Sequence, residues 1–147
     1  MSNTASVVRT TDDPLVEAAG TLLRQLVIAT GAESVVVCGA GLVGFVAEAL
    51  RENGRGRVVE CEGGSGVAVP PGPVDLLVLG GAPERFLPVL RVMEPRMLPG
   101  AVVVACGVPE PPERAADFLA YVRASGSGYV SQPLAPDGGL EMAVRSA

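Results

Sequence analysis

The chain has 147 residues, 48% hydrophobic and 18% charged, a composition typical of a folded globular protein. Its net charge of −5 disfavours nucleic-acid binding, because few cations are available to neutralise phosphates. The sequence contains no histidine, which excludes serine–histidine and cysteine–histidine nucleophile pairs and histidine-based zinc sites.

The polar N-terminus and the short apolar runs predict a cytoplasmic protein. Residues 1–12 are predicted to form a flexible segment before one domain that spans residues 13–147. No run reaches the about 18 to 20 apolar residues that a membrane span needs, and the N-terminus lacks the apolar core of a signal peptide. The three cysteines have no disulfide-framework spacing, so we expect reduced thiols that act as small apolar residues.

Helical and strand patterns alternate along the chain. Asp13 is the expected N-cap of the first helix, Pro14 its first residue, and Gly31 its C-cap. The predicted helices are 14–30, 43–52, 83–93 and 112–124, and the predicted strands are 35–38, 57–61, 75–79, 101–105, 129–134 and 140–144. This alternation predicts an α/β fold with a mostly parallel sheet, and the last two strands read as an antiparallel β-hairpin.

A glycine motif lies between the first predicted strand and the second helix. Residues 39–44 read GAGLVG, a G-x-G-x-x-G pattern formed by Gly39, Ala40, Gly41 and Gly44. Glu62 follows the next strand, where a carboxylate can accept hydrogen bonds from both ribose hydroxyls of a nucleoside. The motif predicts a nucleoside site but fits both a nicotinamide dinucleotide and S-adenosylmethionine. The alternative is that the glycines only allow close helix–strand packing and that Glu62 is a solvated strand end.

The later segments resemble the class I S-adenosylmethionine-dependent O-methyltransferases of the catechol and caffeoyl-CoA type. The resemblance rests on Asp75-Leu76 before a helix, on Leu98-Pro99-Gly100 before the next strand, and on Pro133-Leu134 and Asp137-Gly138 in the final hairpin. The opening LLRQLVIATGAESVVVCGAG is similar to the first helix, turn and cofactor loop of that family. The resemblance implies a doubly wound, Rossmann-like methyltransferase fold with S-adenosylmethionine as the cofactor.

Several family positions are altered. The residues that match the family's aspartates and asparagine for a divalent cation are Gly80 and Cys106-Gly107, and a candidate lysine base matches Pro83. Magnesium prefers oxygen ligands, so the resemblance implies that no metal site remains. No catalytic residue is identified. The acids expected nearest the cleft are Glu60, Glu62 and Asp75.

The bridge between the second and third predicted strands is short. Residues 63–74 replace a helix, a strand and a helix of the family, so the sheet is expected to lack one edge strand and part of the adenine pocket. A newly exposed edge must be covered or paired, and we therefore expect a homodimer.

Three functions follow from these observations. The leading hypothesis is a degenerate O-methyltransferase homologue, a non-catalytic or weakly ligand-binding dimer without a metal. The second is a metal-independent enzyme that binds S-adenosylmethionine and acts on a small organic substrate. The third is an NAD(P)-binding Rossmann protein, suggested by the glycine motif alone.

Overall fold

The structure, a computed structural model, describes residues 14–39, 41–61, 72–108, 112–134 and 139–146. The predicted flexible segment 1–12 and the predicted N-cap Asp13 lie outside the described residues, as do two predicted site residues, Ala40 and Glu62.

Six strands and four α-helices make up the described chain. The strands are β1 (Ser34–Cys38), β2 (Arg57–Cys61), β3 (Leu76–Leu79), β4 (Val102–Cys106), β5 (Tyr129–Pro133) and β6 (Leu140–Arg145). The helices are α1 (Pro14–Thr30), α2 (Val43–Asn53), α3 (Phe86–Met93) and α4 (Ala116–Arg123). Three short 3₁₀ turns flank the later helices, at Pro83–Arg85, Glu94–Arg96 and Pro112–Ala115.

The strands form one sheet in the order β2-β1-β3-β4-β6-β5. The first four strands in this order are parallel, whereas β6 is antiparallel to both β4 and β5. This arrangement confirms the predicted doubly wound, mostly parallel sheet closed by a C-terminal hairpin. Within the described residues, β2 forms one edge of the sheet and β5 the other.

Hydrophobic cores lie on both faces of the sheet. One face is covered by α1 and α2, with Leu23 and Val46 among its fully buried side chains. The other is covered by α3 and α4, where the rings of Phe86 and Phe118 meet edge to face with centroids 5.5 Å apart. The central strands are therefore buried on both faces, which explains their continuous apolar sequences.

The C-terminal hairpin contains one buried charge. The Glu141 carboxylate is 1% exposed and accepts hydrogen bonds from the Arg123 guanidinium, at 2.6 and 2.9 Å, and from the Ser131 hydroxyl, at 2.7 Å. These contacts join β6 to α4 and β5, and they supply the partners that a buried carboxylate requires.

The largest differences from the predicted boundaries occur where prolines begin or end helices. The predicted helix 83–93 starts as the 3₁₀ turn Pro83–Arg85 and becomes α-helical only at Phe86. Pro95 does not end the helical structure abruptly, because it lies inside the 3₁₀ turn Glu94–Arg96. Among the described helices, none has the length and apolarity needed to cross a membrane.

Candidate functional site

The four parallel strands end at the same edge of the sheet. Helix α2, which follows β1, packs on one face, whereas α3, which follows β3, packs on the other. Neighbouring connections that leave on opposite faces open a crevice between the strand ends, and ligands bind there in open α/β sheets. The candidate site is therefore the crevice between the carboxyl ends of β1 and β3.

Gly39 forms the floor of this crevice. Its φ of +75° is unfavourable for any residue with a side chain. A Cβ at Gly39 would lie 3.1 Å from the carbonyl carbon and 3.2 Å from the carbonyl oxygen of Gly80. The Gly80 N–H also donates a 2.7 Å hydrogen bond to the carbonyl oxygen of Cys38. The loops after β1 and β3 are thus in direct backbone contact, and glycine at position 39 allows this approach without a shift of the Gly80 backbone.

Gly41 also has a positive φ but no close described neighbour. Its φ is +65°, and no heavy atom of the described residues would lie within 4 Å of a Cβ placed there. Gly44 lies inside α2, and a Cβ at this position would also meet no atom of the described residues within 4 Å, apart from its own helix backbone. Packing against described residues therefore explains the glycine at position 39 but not the glycines at positions 41 and 44.

The N-terminus of α2 lacks a side-chain cap. Its N-cap residue is Leu42, which forms no side-chain hydrogen bond, and the first turn contains no acidic residue. The first N–H groups of a helix need acceptors and carry partial positive charge. This helix end, next to Gly41, is suited to a negatively charged ligand group such as a carboxylate.

A cavity of about 170 Å³ extends below the loops. Its described lining comes from the ends of β1, β2 and β3 and from the start of α3, and Arg85 is the only charged residue among the lining residues. A larger cavity of about 820 Å³ lies at the opposite edge, beside Asp75 and Leu98. The candidate ligand site is at the edge that holds the smaller cavity, because ligands of parallel sheets bind at the carboxyl ends of the strands.

Asp75 is not in the crevice, so the prediction that it lies near the cleft is wrong. It immediately precedes β3, at the amino edge of the sheet. Its carboxylate accepts hydrogen bonds from the backbone N–H groups of Glu33, at 2.9 Å, and Ser34, at 3.0 Å. Asp75 therefore anchors the turn before β1. Glu60 is exposed on the edge strand β2 and does not line the cavity.

Two of the three cysteines are joined, which corrects the expectation of three reduced thiols. Cys38 and Cys61 end the neighbouring strands β1 and β2, and they form a disulfide with a Cα–Cα distance of 4.8 Å. Cys106 is a free, buried thiol at the end of β4, and its burial raises its pKa to about 12. All three cysteines lie at the carboxyl ends of parallel strands.

The predicted strand ends indicated this disulfide, although the spacing of the two cysteines in the sequence did not. The two cysteines are 23 residues apart, a separation that carries no framework pattern. However, each was predicted as the last residue of a strand, and consecutive strands of this fold class commonly lie side by side.

The residues at the family's metal positions do not fit a divalent cation. Gly80 follows β3, Cys106 ends β4 and Gly107 comes next, so these positions supply no carboxylate. Among the described residues, no group of three or more Cys, Asp or Glu side chains could hold a metal ion.

Comparison with solved structures identifies the fold. A methyltransferase from Geobacter sulfurreducens has a TM-score of 0.65 and 18% identity, over 92% of this chain and 90% of that one. A putative O-methyltransferase from Klebsiella pneumoniae has a TM-score of 0.61 and 16% identity, over 88% and 80% of the two chains. The O-methyltransferase TomG from Streptomyces achromogenes, solved in complex with SAM, has a TM-score of 0.59 and 16% identity, also over 88% and 80%.

Neither a protein-family profile nor a curated protein matches the sequence. The structural similarity extends over most of the chain, and it includes proteins solved with SAM or SAH. The chain has the class I O-methyltransferase-like fold.

Proposed function

We propose that the protein binds S-adenosylmethionine or S-adenosylhomocysteine in the crevice between β1 and β3, and that it has lost metal-dependent methyl transfer. The observation that carries the proposal is the loop after β1. There, Gly39 packs against the backbone at Gly80, while a Cβ at Gly41 would meet no described atom within 4 Å, and Gly41 lies next to the start of α2, which has no side-chain cap.

The two ends of this ligand match different parts of the site. Its amino-acid carboxylate is suited to the start of α2, which has no side-chain cap and where the helix dipole favours negative charge. Its ribose hydroxyls match Glu62, whose role stays a prediction because this residue lies outside the described residues. The similar structures solved with SAM and SAH support the choice of ligand class.

The surroundings of the crevice favour binding over catalysis. S-adenosylmethionine supplies an electrophilic methyl group, and transfer to a hydroxyl normally needs a base or a metal that activates the acceptor. The described lining includes no carboxylate, and the family's metal positions hold Gly80 and Cys106-Gly107. We therefore favour a non-catalytic or weakly ligand-binding homologue, and no described feature favours the NAD(P)-binding or metal-independent enzyme hypotheses.

Two matched glycine variants test the location of the site. Gly41 and Gly126 both have positive φ, of +65° and +76°, and a Cβ added at either glycine would meet no heavy atom of the described residues within 4 Å. Gly126 lies before β5, at the opposite edge of the sheet. Gly41→Ala is expected to weaken S-adenosylhomocysteine binding at least about tenfold, and Gly126→Ala to leave it unchanged. Equal affinity of both variants would contradict the assigned site.

We also propose that two copies of the chain associate along β2. In the described residues Val58 and Val59 are only half-buried, whereas Val36 and Val37 on the neighbouring strand are fully buried. A strand with unpaired backbone groups at a sheet edge favours association unless it is covered. This surface supports the predicted homodimer.

A further inference from the structure

The disulfide between Cys38 and Cys61 lies directly beside the proposed ligand site. The parallel register places Cys38 opposite Cys61 at the ends of β1 and β2. Their Cα atoms are 4.8 Å apart, a distance that the strand ladder maintains and that suits a disulfide without backbone movement. Both residues line the cavity of about 170 Å³.

The bond joins the two segments that are expected to hold the nucleoside. Cys38 immediately precedes Gly39, the first residue of the glycine loop, and Cys61 immediately precedes Glu62. The third cysteine, Cys106, belongs to the core on the other face of the sheet and has no part in this bond. The two bridged cysteines are thus a distinct pair at the base of the site.

We propose that Cys38 and Cys61 are a reversible dithiol–disulfide pair, oxidised by a low-molecular-weight disulfide, and that their oxidation state sets the affinity of the crevice for its ligand. The second part rests on the proposed function. The sequence predicts a cytoplasmic protein, and disulfides in that compartment are usually transient and either catalytic or redox-sensing.

The oxidation needs no reactant other than the two protein thiols and the small disulfide. One protein thiolate attacks a sulfur of the small disulfide, which breaks its S–S bond and releases one small thiol after protonation. The second protein thiolate then attacks the protein sulfur of the mixed disulfide and expels the second small thiol. Two protein thiols are oxidised, one small disulfide is reduced to two thiols, and the protons of the protein thiols end on the released molecules.

The oxidised and reduced proteins are expected to differ in the shape of the cavity beside the ligand site. A covalent bond holds two sulfurs closer than two thiols can approach, so reduction must move at least one of these side chains. Both residues line the cavity, and the movement therefore changes the space beneath the glycine loop. The disulfide also fixes the two ligand-binding segments relative to each other, which favours binding through preorganisation. We expect the oxidised protein to bind S-adenosylhomocysteine about tenfold more tightly.

The pair is tested first by thiol counting. The full chain is equilibrated in buffers of reduced and oxidised glutathione, then denatured and alkylated, and the labels are counted by mass spectrometry. The expected result is a reversible change between three labels under reducing conditions and one label, on Cys106, under oxidising conditions. One label throughout, or three labels throughout, would overturn the proposal.

The coupling to the ligand is tested on the same samples. Calorimetric titration with S-adenosylhomocysteine compares the two states of the wild type, of Cys61→Ala and of Cys106→Ala. The affinity difference should persist in Cys106→Ala and disappear in Cys61→Ala, which cannot form the bond. Equal affinity of both wild-type states would overturn the coupling alone. Absence of binding in both states would contradict the proposed function and with it the coupling, while the thiol count would still decide whether the pair is reversible.

Discussion

Two glycines of the loop after β1 have similar φ values but different neighbours. A Cβ at Gly39 would lie 3.1 Å from the Gly80 backbone, whereas a Cβ at Gly41 would meet no atom of the described residues within 4 Å. Left-handed backbone costs a residue with a side chain about 1 to 2 kcal/mol in either case. We therefore expect Gly39→Ala to lower the free energy of unfolding more than Gly41→Ala does, because the new Cβ at Gly39 requires the Gly80 backbone to shift and the described residues set no such requirement at Gly41.

Urea unfolding of the two variants measures this difference. Equal losses of stability would show that the loops after β1 and β3 separate easily, and would weaken the description of the crevice floor.

The buried thiol of Cys106 predicts a pH dependence of stability. Burial raises its pKa from 9.0 to about 12, so the folded state retains this proton while the unfolded state releases it. The contribution of this thiol to the free energy of unfolding is therefore fully present below about pH 9 and is lost as the pH rises from 9 towards 12. Between pH 8 and pH 10 we expect a loss of about 1 kcal/mol from Cys106.

The pH effect is isolated by comparison with Cys106→Ala, measured by urea unfolding at both pH values. Burial and contact with Glu94 also raise the pKa of Tyr129, but this group contributes equally in both proteins. The variant should lose less stability than the wild type between pH 8 and pH 10. An identical loss would argue against a buried, protonated thiol.

At the scale of elements, the contact between α1 and α2 depends on a glycine inside a helix. A Cβ at Gly20 would lie 2.5 Å from ring atoms Cδ1 and Cε1 of Phe45. Alanine is favoured over glycine in isolated helices by about 1 kcal/mol, yet here we expect Gly20→Ala to destabilise the protein because the ring must shift.

A double-mutant cycle separates these two effects. Phe45→Leu removes the ring, so Gly20→Ala should become neutral or stabilising in that background when unfolding is measured in urea. If Gly20→Ala were equally destabilising in both backgrounds, the close packing of the two helices would not be its cause.

The elements whose boundaries the sequence predicted well are those that end at glycine. Helix α1 ends at Thr30, before Gly31 with a φ of +67°, and α2 ends at Asn53, before Gly54 with a φ of +78°. Apolar runs buried on both faces similarly identified the central strands. These features are local, and the chain determines them without reference to distant residues.

The parts that sequence reasoning missed depend on which segments become neighbours. Asp75 was assigned to the cleft, but its position at the start of β3 places it at the opposite edge, where it binds the turn before β1. The bond between Cys38 and Cys61 requires the register of two strands, which hydrophobic pattern alone does not specify. The glycine motif was recognised in the sequence. The sequence did not show that Gly39 packs against the Gly80 backbone, because that contact depends on the neighbouring strand.

At the scale of the whole molecule, we expect variants at the two edges of the sheet to have different effects on dimer formation. Val59 lies on the edge strand β2, and Val130, 69% exposed, lies on β5 at the other edge. A lysine in place of a half-buried apolar side chain on the paired edge opposes association, because its charge would have to be buried against the second copy. Light scattering should therefore show a dimer for the wild type and for Val130→Lys, and a monomer for Val59→Lys. A monomeric wild type, or dissociation by Val130→Lys alone, would contradict association along β2.

The most direct test of the proposed function is a calorimetric titration of the whole protein with S-adenosylhomocysteine, once with Mg²⁺ and once with EDTA. The proposed ligand site consists of the glycine loop and the uncapped start of α2, and Gly80 and Cys106-Gly107 provide no carboxylate for a cation. The expected result is saturable binding with the same affinity under both conditions. No binding at millimolar ligand, or binding that requires Mg²⁺, would contradict a metal-independent ligand site on this methyltransferase-like fold.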